Sequence, residues 1–480
     1  MMKAEDVNFP PFFLRKILGD PIMEHTALEN QKIQFDRKFL VRLVLPLVIE
    51  QVLGVTVGMA DMIMVSGAGE AAVSGVSLVN TISNLLIYVF SALATGGAVV
   101  ASQAIGAKQK STANIVSNQL ILICFAVAVA ITAVCLSLNR QILDLIYGNV
   151  ESSVMENAVI YFYITAFSFP FLSVYYGATA LFRSMGNSKL SLYVSAVMNV
   201  LNIAGNAVFV FVFNMGIAGV AWSTLISRAI AAAVVVIILR NEKLELHIDK
   251  YLRLGFDWKI QKKILEIGIP SGIDNAMFQI GKLFTQSLIA SFGTASIAAN
   301  ATASTIELLA TIPAAATGLA ITTVVGQCVG AGDFEAAKKY TKKLMFWAYL
   351  MLWIENIAIV FLTPTIASWY NLSAEGDRLA RMLMWFHSAS CVVLWPAAWT
   401  LQAVLRASGD VKYLMSASII IMWVFRIGFA YLLTFANARL GSPLPGVLCV
   451  WIAMVIDWLA RCVSNLWRLK SGKWIRAAVV

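Results

Sequence analysis

A chain of 480 residues in which 59% of the side chains are hydrophobic and only 13% charged carries about half the charge of an ordinary soluble domain, which excludes a water-facing surface over most of its length. The net charge of +10 would suggest nucleic acid as a partner of a soluble protein. Here the basic residues flank apolar runs, so membrane orientation and anionic lipid account for them and nucleic acid is not expected.

The first forty residues mix charges with short apolar pieces such as Phe9-Pro10-Pro11-Phe12-Phe13, too short to span and unlike a cleaved leader. Residues 1–38 are expected to form a cytoplasmic tail. Twelve apolar runs follow, at about 41–65, 74–105, 115–138, 157–182, 190–213, 217–239, 266–291, 297–330, 344–368, 380–405, 413–435 and 446–467. Each is long enough to cross a bilayer as a helix. The runs are continuous rather than alternating, which favours helices over a closed barrel. They are spans 1 to 12 below.

Lysine and arginine alternate with the spans. They crowd the N-terminal tail and follow every even-numbered span, as Lys108 and Lys110, Arg183 and Lys189, Arg240 through Lys263, Lys338 through Lys343, Arg406 and Lys412, and Arg468 through Arg476. Connections after odd-numbered spans hold only Arg140, Arg378, Arg381 and Arg439. This bias predicts a multi-pass protein of the inner (plasma) membrane with both termini cytoplasmic.

The longest polar interior stretch, 240–264, is expected to be a cytoplasmic linker between an N-terminal lobe at 39–239 and a C-terminal lobe at 265–467, with a second tail at 468–480. Sliding the sequence by 224 residues lays Pro46 on Pro270, Glu50 on Asp274, Gly69 on Gly293, Thr81-Ile82 on Thr305-Ile306, Gln103 on Gln327 and Gly106-Ala107 on Gly330-Ala331. At a shift of 223, Arg183 meets Arg406 and Gly186-Asn187 meets Gly409-Asp410. Six spans return the chain to its starting side, so the halves are parallel repeats about an axis along the membrane normal, with a cavity between them. The predicted fold is all-α: twelve transmembrane helices in two six-helix lobes. Two such bodies can rock open to either side, which favours a transporter over an enzyme or channel.

No GxxxxGK[ST] loop, HExxH or CxxC pair occurs, so no ATP drive by this chain and no metal or other cofactor is expected. The six cysteines lie in apolar stretches and read as buried thiols.

From about residue 38 to 475 the sequence resembles multidrug and toxic compound extrusion (MATE) transporters. The resemblance rests on the proline opening spans 1 and 7, Ala60-Asp61 in span 1, the Gln-x-x-Gly-Ala exits of spans 2 and 8, Arg-x-x-Gly-Asn/Asp after spans 4 and 10, and Asn199, Asn202 and Asn206 in span 5. It implies two lobes, V-shaped in section, and antiport of organic, often cationic, small molecules against protons or sodium. A monomer is expected. A flippase for lipid-linked precursors is the alternative within the wider superfamily; a membrane enzyme or channel is more distant, since no polar catalytic cluster or filter repeat is present.

Asp61 is the leading coupling residue. A carboxylate inside the apolar run Gly58–Val65 costs about 3 kcal/mol or more to hold charged, so taking up and losing a proton there can be tied to a conformational change. The resemblance points the same way. Asn199, Asn202 and Asn206 recur one turn apart and form a polar stripe, available to Asp61 or to interhelical packing. The resemblance leads one to look for a second acid at Asn206. An amide there leaves Asp61 the sole acid of its lobe and argues against a two-carboxylate sodium site. Spans 7 and 10 likewise lack the acids that a C-terminal cation site would need.

Candidates for the substrate cavity are Asn80, Asn84, Asn199, Gln279, Lys282, Met59 and Met62. Lys282, in mid-span, either neutralises Glu307 or Glu355 or repels cations. Asp457 and Arg461, four apart, are expected to pair along span 12, and Glu355 to pair with Arg426. Asp274, matched to Glu50, reads as an early-helix residue at the cytoplasmic surface, and His387 as a hydrogen-bonded residue near a helix start. Pro170, Pro313 and Pro396 permit kinks.

Overall fold

The computed structural model describes residues 33–66, 69–148, 150–248, 255–370, 372–441 and 444–477; Phe9–Phe13 lie outside them. Every regular element among the described residues is helical. Span 1 is Arg37–Ser66, span 2 Glu70–Gly106 and span 3 Lys110–Ser137, followed by a short surface helix, Asn139–Tyr147. Span 4 is two helices, Ser152–Ala166 and Phe169–Ser184, and span 5 runs Ser188–Asn206 before a π-helical stretch at Ala207–Val212. Span 6 is Gly216–Leu239, span 7 Trp258–Ala290, and span 8 the pair Thr294–Ala310 and Ile312–Gly330. Span 9 is Phe334–Ser368, span 10 Ala374–Ala407, span 11 Val411–Arg439 and span 12 Gly446–Lys470.

Among the described residues ten helices are long and apolar enough to cross a membrane, or eleven with both halves of span 4 taken as one. Span 7 completes the twelve by position; Asp274, Asn275, Gln279, Lys282 and Gln286 interrupt its apolar run. The expected linker is shorter than 240–264. Residues 258–264 already form the start of span 7, capped by the Asp257 carboxylate, which accepts from the Lys259 amide at 2.9 Å and the Ile260 amide at 3.3 Å. Leu246 and Ile248 are buried against the N-terminal lobe.

Span 4 bends by 50° at its break. Pro170, just inside the second half, supplies no amide to the helix ladder, and the Ser168 hydroxyl donates to the Thr165 carbonyl at 2.6 Å. Span 8 breaks at Thr311, two residues before Pro313, and the Thr311 hydroxyl donates to the Glu307 carbonyl at 3.1 Å. At Pro396 span 10 passes into a π-helical stretch, Pro396–Thr400.

Each lobe has its own apolar core. A third cluster joins them, with Leu40, Leu43 and Leu47 of span 1 packed against Ala320, Val324 and Cys328 of span 8. It lies at the end of the molecule that carries the basic even-numbered connections. The sharpest contact there is reciprocal. A Cβ on Gly106 would overlap the backbone carbonyl of Gln327, and one on Gly330 that of Gln103. Glycine alone permits such an approach. The Gln103 side-chain amide donates to the Ala407 carbonyl at 2.8 Å, and Gln327 to the Ser184 carbonyl at 2.7 Å. The described close contacts between lobes gather at this end. A cavity of about 730 Å³ separates the lobes, walled by Gly54, Met59 and Asn199 on one side and Thr305, Leu308 and Leu319 on the other.

Candidate functional site

Two further cavities open, one in each lobe. In the N-terminal lobe a space of about 340 Å³ lies among spans 1, 2, 4, 5 and 6. Asp61 reaches it, half-buried. Span 5 presents two amides to the carboxylate: Asn206 Nδ2 donates to Asp61 Oδ1 at 2.7 Å. The Asn202 amide is oriented by its neighbours, its nitrogen donating to Asp61 Oδ1 at 2.8 Å and its oxygen accepting from Thr224 Oγ1 at 3.3 Å. The π-helical stretch begins right after Asn206. Such stretches are frequent at functional sites.

Arg228 of span 6 lines the same cavity. Its Nη1 donates to Ser168 Oγ at 2.7 Å, tying span 6 to the break in span 4. Asn80 and Asn199 also line it, and Asn84 stands between this cavity and that of the other lobe. Met59 is 51% exposed toward the space between lobes. Met62 packs on the N-terminal core. Sequence reasoning passed over Arg228, although a single arginine inside the run 217–239 is a readable signal. Tyr161 and Thr224, also in this wall, give no such signal.

In the C-terminal lobe a cavity of about 380 Å³ is lined by Gln279, Lys282, Gln286, Glu307, Arg426 and Trp451, among others. The ion pairs around it differ from expectation. Asp457 and Arg461 do pair, at 3.2 Å, both buried. Arg426 pairs not with Glu355 but with Asp457, at 3.7 Å. Glu355 makes no ion pair among the described residues, and its Oε2 lacks a hydrogen-bond partner. Lys282 contacts neither Glu307 nor Glu355 as an ion pair; its Nζ lies 5.5 Å above the Phe278 ring.

Asp274 is neither early in its helix nor at the surface. It sits midway along span 7, 6% exposed, 3.8 Å from Arg406. Its repeat mate Glu50 pairs with Arg183 at 3.6 Å and accepts from Ser191 at 2.7 Å. One ion pair thus recurs in both lobes. His387 lies in the middle of its helix, 2% exposed, its ring edge-on to Trp451 and Trp458 and its Nε2 unpartnered. The cysteines are buried thiols.

The MatE family model matches residues 46–208 and again 270–432; the two matches start 224 residues apart, the offset of the internal repeat. The chain is 27% identical over 464 residues to the uncharacterized transporter YisQ of Bacillus subtilis (strain 168), covering 95% of this chain and 98% of that one. It is 26% identical over 474 residues to the probable multidrug resistance protein NorM of Thermotoga maritima, with 94% and 96% covered. Among solved structures, a multidrug resistance MATE family transporter of the MOP superfamily in an outward-facing conformation matches with a TM-score of 0.82 at 21% identity, covering 92% of this chain and 96% of that one. A MATE structure in a bent conformation matches with a TM-score of 0.82 at 20% identity, over 92% and 97%. With the family model matched in each half and relatives aligned nearly end to end, the chain belongs to the MatE family, a multi-pass membrane transporter of the MATE efflux type.

Proposed function

We propose that the protein is a proton-coupled exporter of amphiphilic organic solutes, cationic ones included, with Asp61 as the group that takes up and releases the coupling proton. The observation that carries this reading is the Asp61 carboxylate, held by the amides of Asn202 and Asn206 at 2.8 and 2.7 Å inside a cavity of a lobe that must move. Sodium is a hard cation that asks for several oxygen ligands. Asp61 instead meets two N–H donors. A proton needs only the one carboxylate.

Ionised Asp61 can accept from both amides at once. Protonation gives it a donor of its own and removes the negative charge that strengthens both bonds, which weakens its hold on Asn206 and on the π-helical stretch beyond. The basic end, by its lysines and arginines, faces the cytoplasm in this reading. The joined lobes there then correspond to a state open to the outside. Solute enters from the cytoplasmic side while Asp61 is ionised, the lobes turn, and protonation from outside reshapes the N-terminal lobe and releases the solute.

Reconstituted vesicles with ethidium as reporter test this. An imposed proton gradient is expected to drive ethidium movement and a sodium gradient alone is not; Asp61→Asn is expected to abolish the proton-driven component. Retained proton drive in Asp61→Asn, or drive by sodium alone, overturns the proposal.

A further inference from the structure

The cavity of the C-terminal lobe is richer in cations than its repeat mate, whose wall holds one acid, Asp61, and one cation, Arg228. The 224-residue frame carries Gly58 onto Lys282, Asp61 onto Thr285 and Asn80 onto Ser304. All six residues line the cavity of their own lobe. Where the first lobe has a carboxylate the second has a hydroxyl, and where the first has a bare glycine the second has an ammonium group.

A second cation stands in the same wall. Arg426 is 5% exposed, lies 5.3 Å over the Phe278 ring, and its Nε has no hydrogen-bond partner. Its acid, Asp457, is shared with Arg461, whose Nε reaches both carboxylate oxygens at 3.2 Å. One carboxylate therefore serves two guanidinium groups. Lys282 has no carboxylate within ion-pairing distance among the described residues. Glu307 is the one acid lining the cavity itself, which leaves two cations to one carboxylate at its wall. In the neutral part, Trp451 Nε1 donates to Asn300 Oδ1 at 3.0 Å, and Asn300 Nδ2 donates to Gln286 Oε1 at 2.9 Å. This chain orients the Gln286 amide by its oxygen and leaves its N–H groups for an occupant.

We propose that this cavity binds the carboxylate of an amphiphilic organic solute, with Lys282 and Arg426 as its cationic partners. Leu283, Trp451 and Met454 supply an apolar wall for the rest of the solute, and about 380 Å³ is within the range of small-molecule sites. Arg426 lines the cavity while sharing Asp457 with Arg461, so its desolvation cost is already met and its charge only partly balanced, and an arriving anion gains a charge-assisted interaction with it. Glu307 lets the same site take a solute that also carries an ammonium group. The inference goes beyond proton antiport at Asp61 and does not depend on it.

Two probes with one ring and opposite charge decide the matter: 2-naphthylacetate and 2-naphthylmethylammonium, titrated calorimetrically against the full chain in phosphatidylcholine nanodiscs, with empty discs subtracted. No ion gradient is needed, so failure of proton coupling leaves the outcome untouched. The anion is expected to bind about tenfold more tightly than the cation. Lys282→Met, a change at an exposed cavity position, is expected to erase that preference, and Lys282→Glu to invert it. Equal binding of the two probes, or full preference in Lys282→Met, overturns the proposal. Discs containing phosphatidylglycerol are expected to give the same affinity; displacement of naphthylacetate there would assign the site to a lipid headgroup and overturn its assignment to a solute.

Discussion

The buried ion pairs show what one residue can reveal in sequence and what it cannot. Asp61, Lys282 and Asp457 stand out because a charge in an apolar run is costly enough to need a reason. A partner along the same helix stands out too, as Arg461 does for Asp457; an ion-pair partner on another helix does not. Arg426 goes to Asp457 instead of Glu355 because pairing across helices is set by rotation and tilt, which spacing along one helix leaves undetermined. The repeat frame was a better guide: it matched Glu50 with Asp274 and Arg183 with Arg406, and these four form the two equivalent pairs at 3.6 and 3.8 Å. Both Glu50 and Arg183 are largely shielded, with side chains 9% and 14% exposed. Arg183→Met leaves Glu50 without its cation and is expected to cost about 3 kcal/mol of stability. Adding Glu50→Gln should restore most of it, because the orphaned charge is gone. Denaturation in detergent of the two single variants and the double variant measures the coupling; a double variant as unstable as the sum of the singles would show that the pair contributes nothing.

At the scale of the helix, the twelve runs and their order were legible because hydrophobic length is a direct property of composition. Breaks were legible only as permission. Pro170, Pro313 and Pro396 allow a kink, and the structure supplies three different outcomes: a 50° bend, a break at Thr311 and a π-helical turn. The choice depends on what replaces the lost hydrogen bond, such as Ser168 held by Arg228 at 2.7 Å, and that partner lies on another helix. The Gln-x-x-Gly-Ala exits were legible as a motif, while the reason for their glycines was not. Gly106 and Gly330 each receive the glutamine carbonyl of the other lobe. Gly330→Val, carrying a branched side chain into that contact, should prevent the lobes from joining at the basic end. Helix content by circular dichroism should stay near that of the parent, while transport falls about tenfold or more, since the state joined at that end loses its population. Normal transport by Gly330→Val would mean that this contact is not part of the cycle.

At the scale of the whole molecule, two parallel lobes followed from the repeat, but the arrangement of the lobes did not, because one sequence serves every state of the cycle and the free-energy gaps between states are small. In the structure the lobes meet through Leu40, Leu43 and Leu47 against span 8, and the cavity between them borders Gly58 and Met59. If the basic end faces the cytoplasm, Gly58 is reachable from outside and shielded from within. Gly58 suits a reporter: a Cβ added there meets nothing within 4 Å, and the six native thiols are all buried. Gly58→Cys should therefore react with a membrane-impermeant cationic methanethiosulfonate added outside right-side-out vesicles, and about tenfold more slowly in inverted vesicles, where the basic end meets the reagent first. A tenfold bias corresponds to about 1.4 kcal/mol between the two states, well within what solute binding can reverse. Labelling of equal speed from both faces would mean that the joined end does not seal. Faster labelling in inverted vesicles would mean that the lysines and arginines mark the opposite side of the membrane, and the direction of transport would have to be assigned anew.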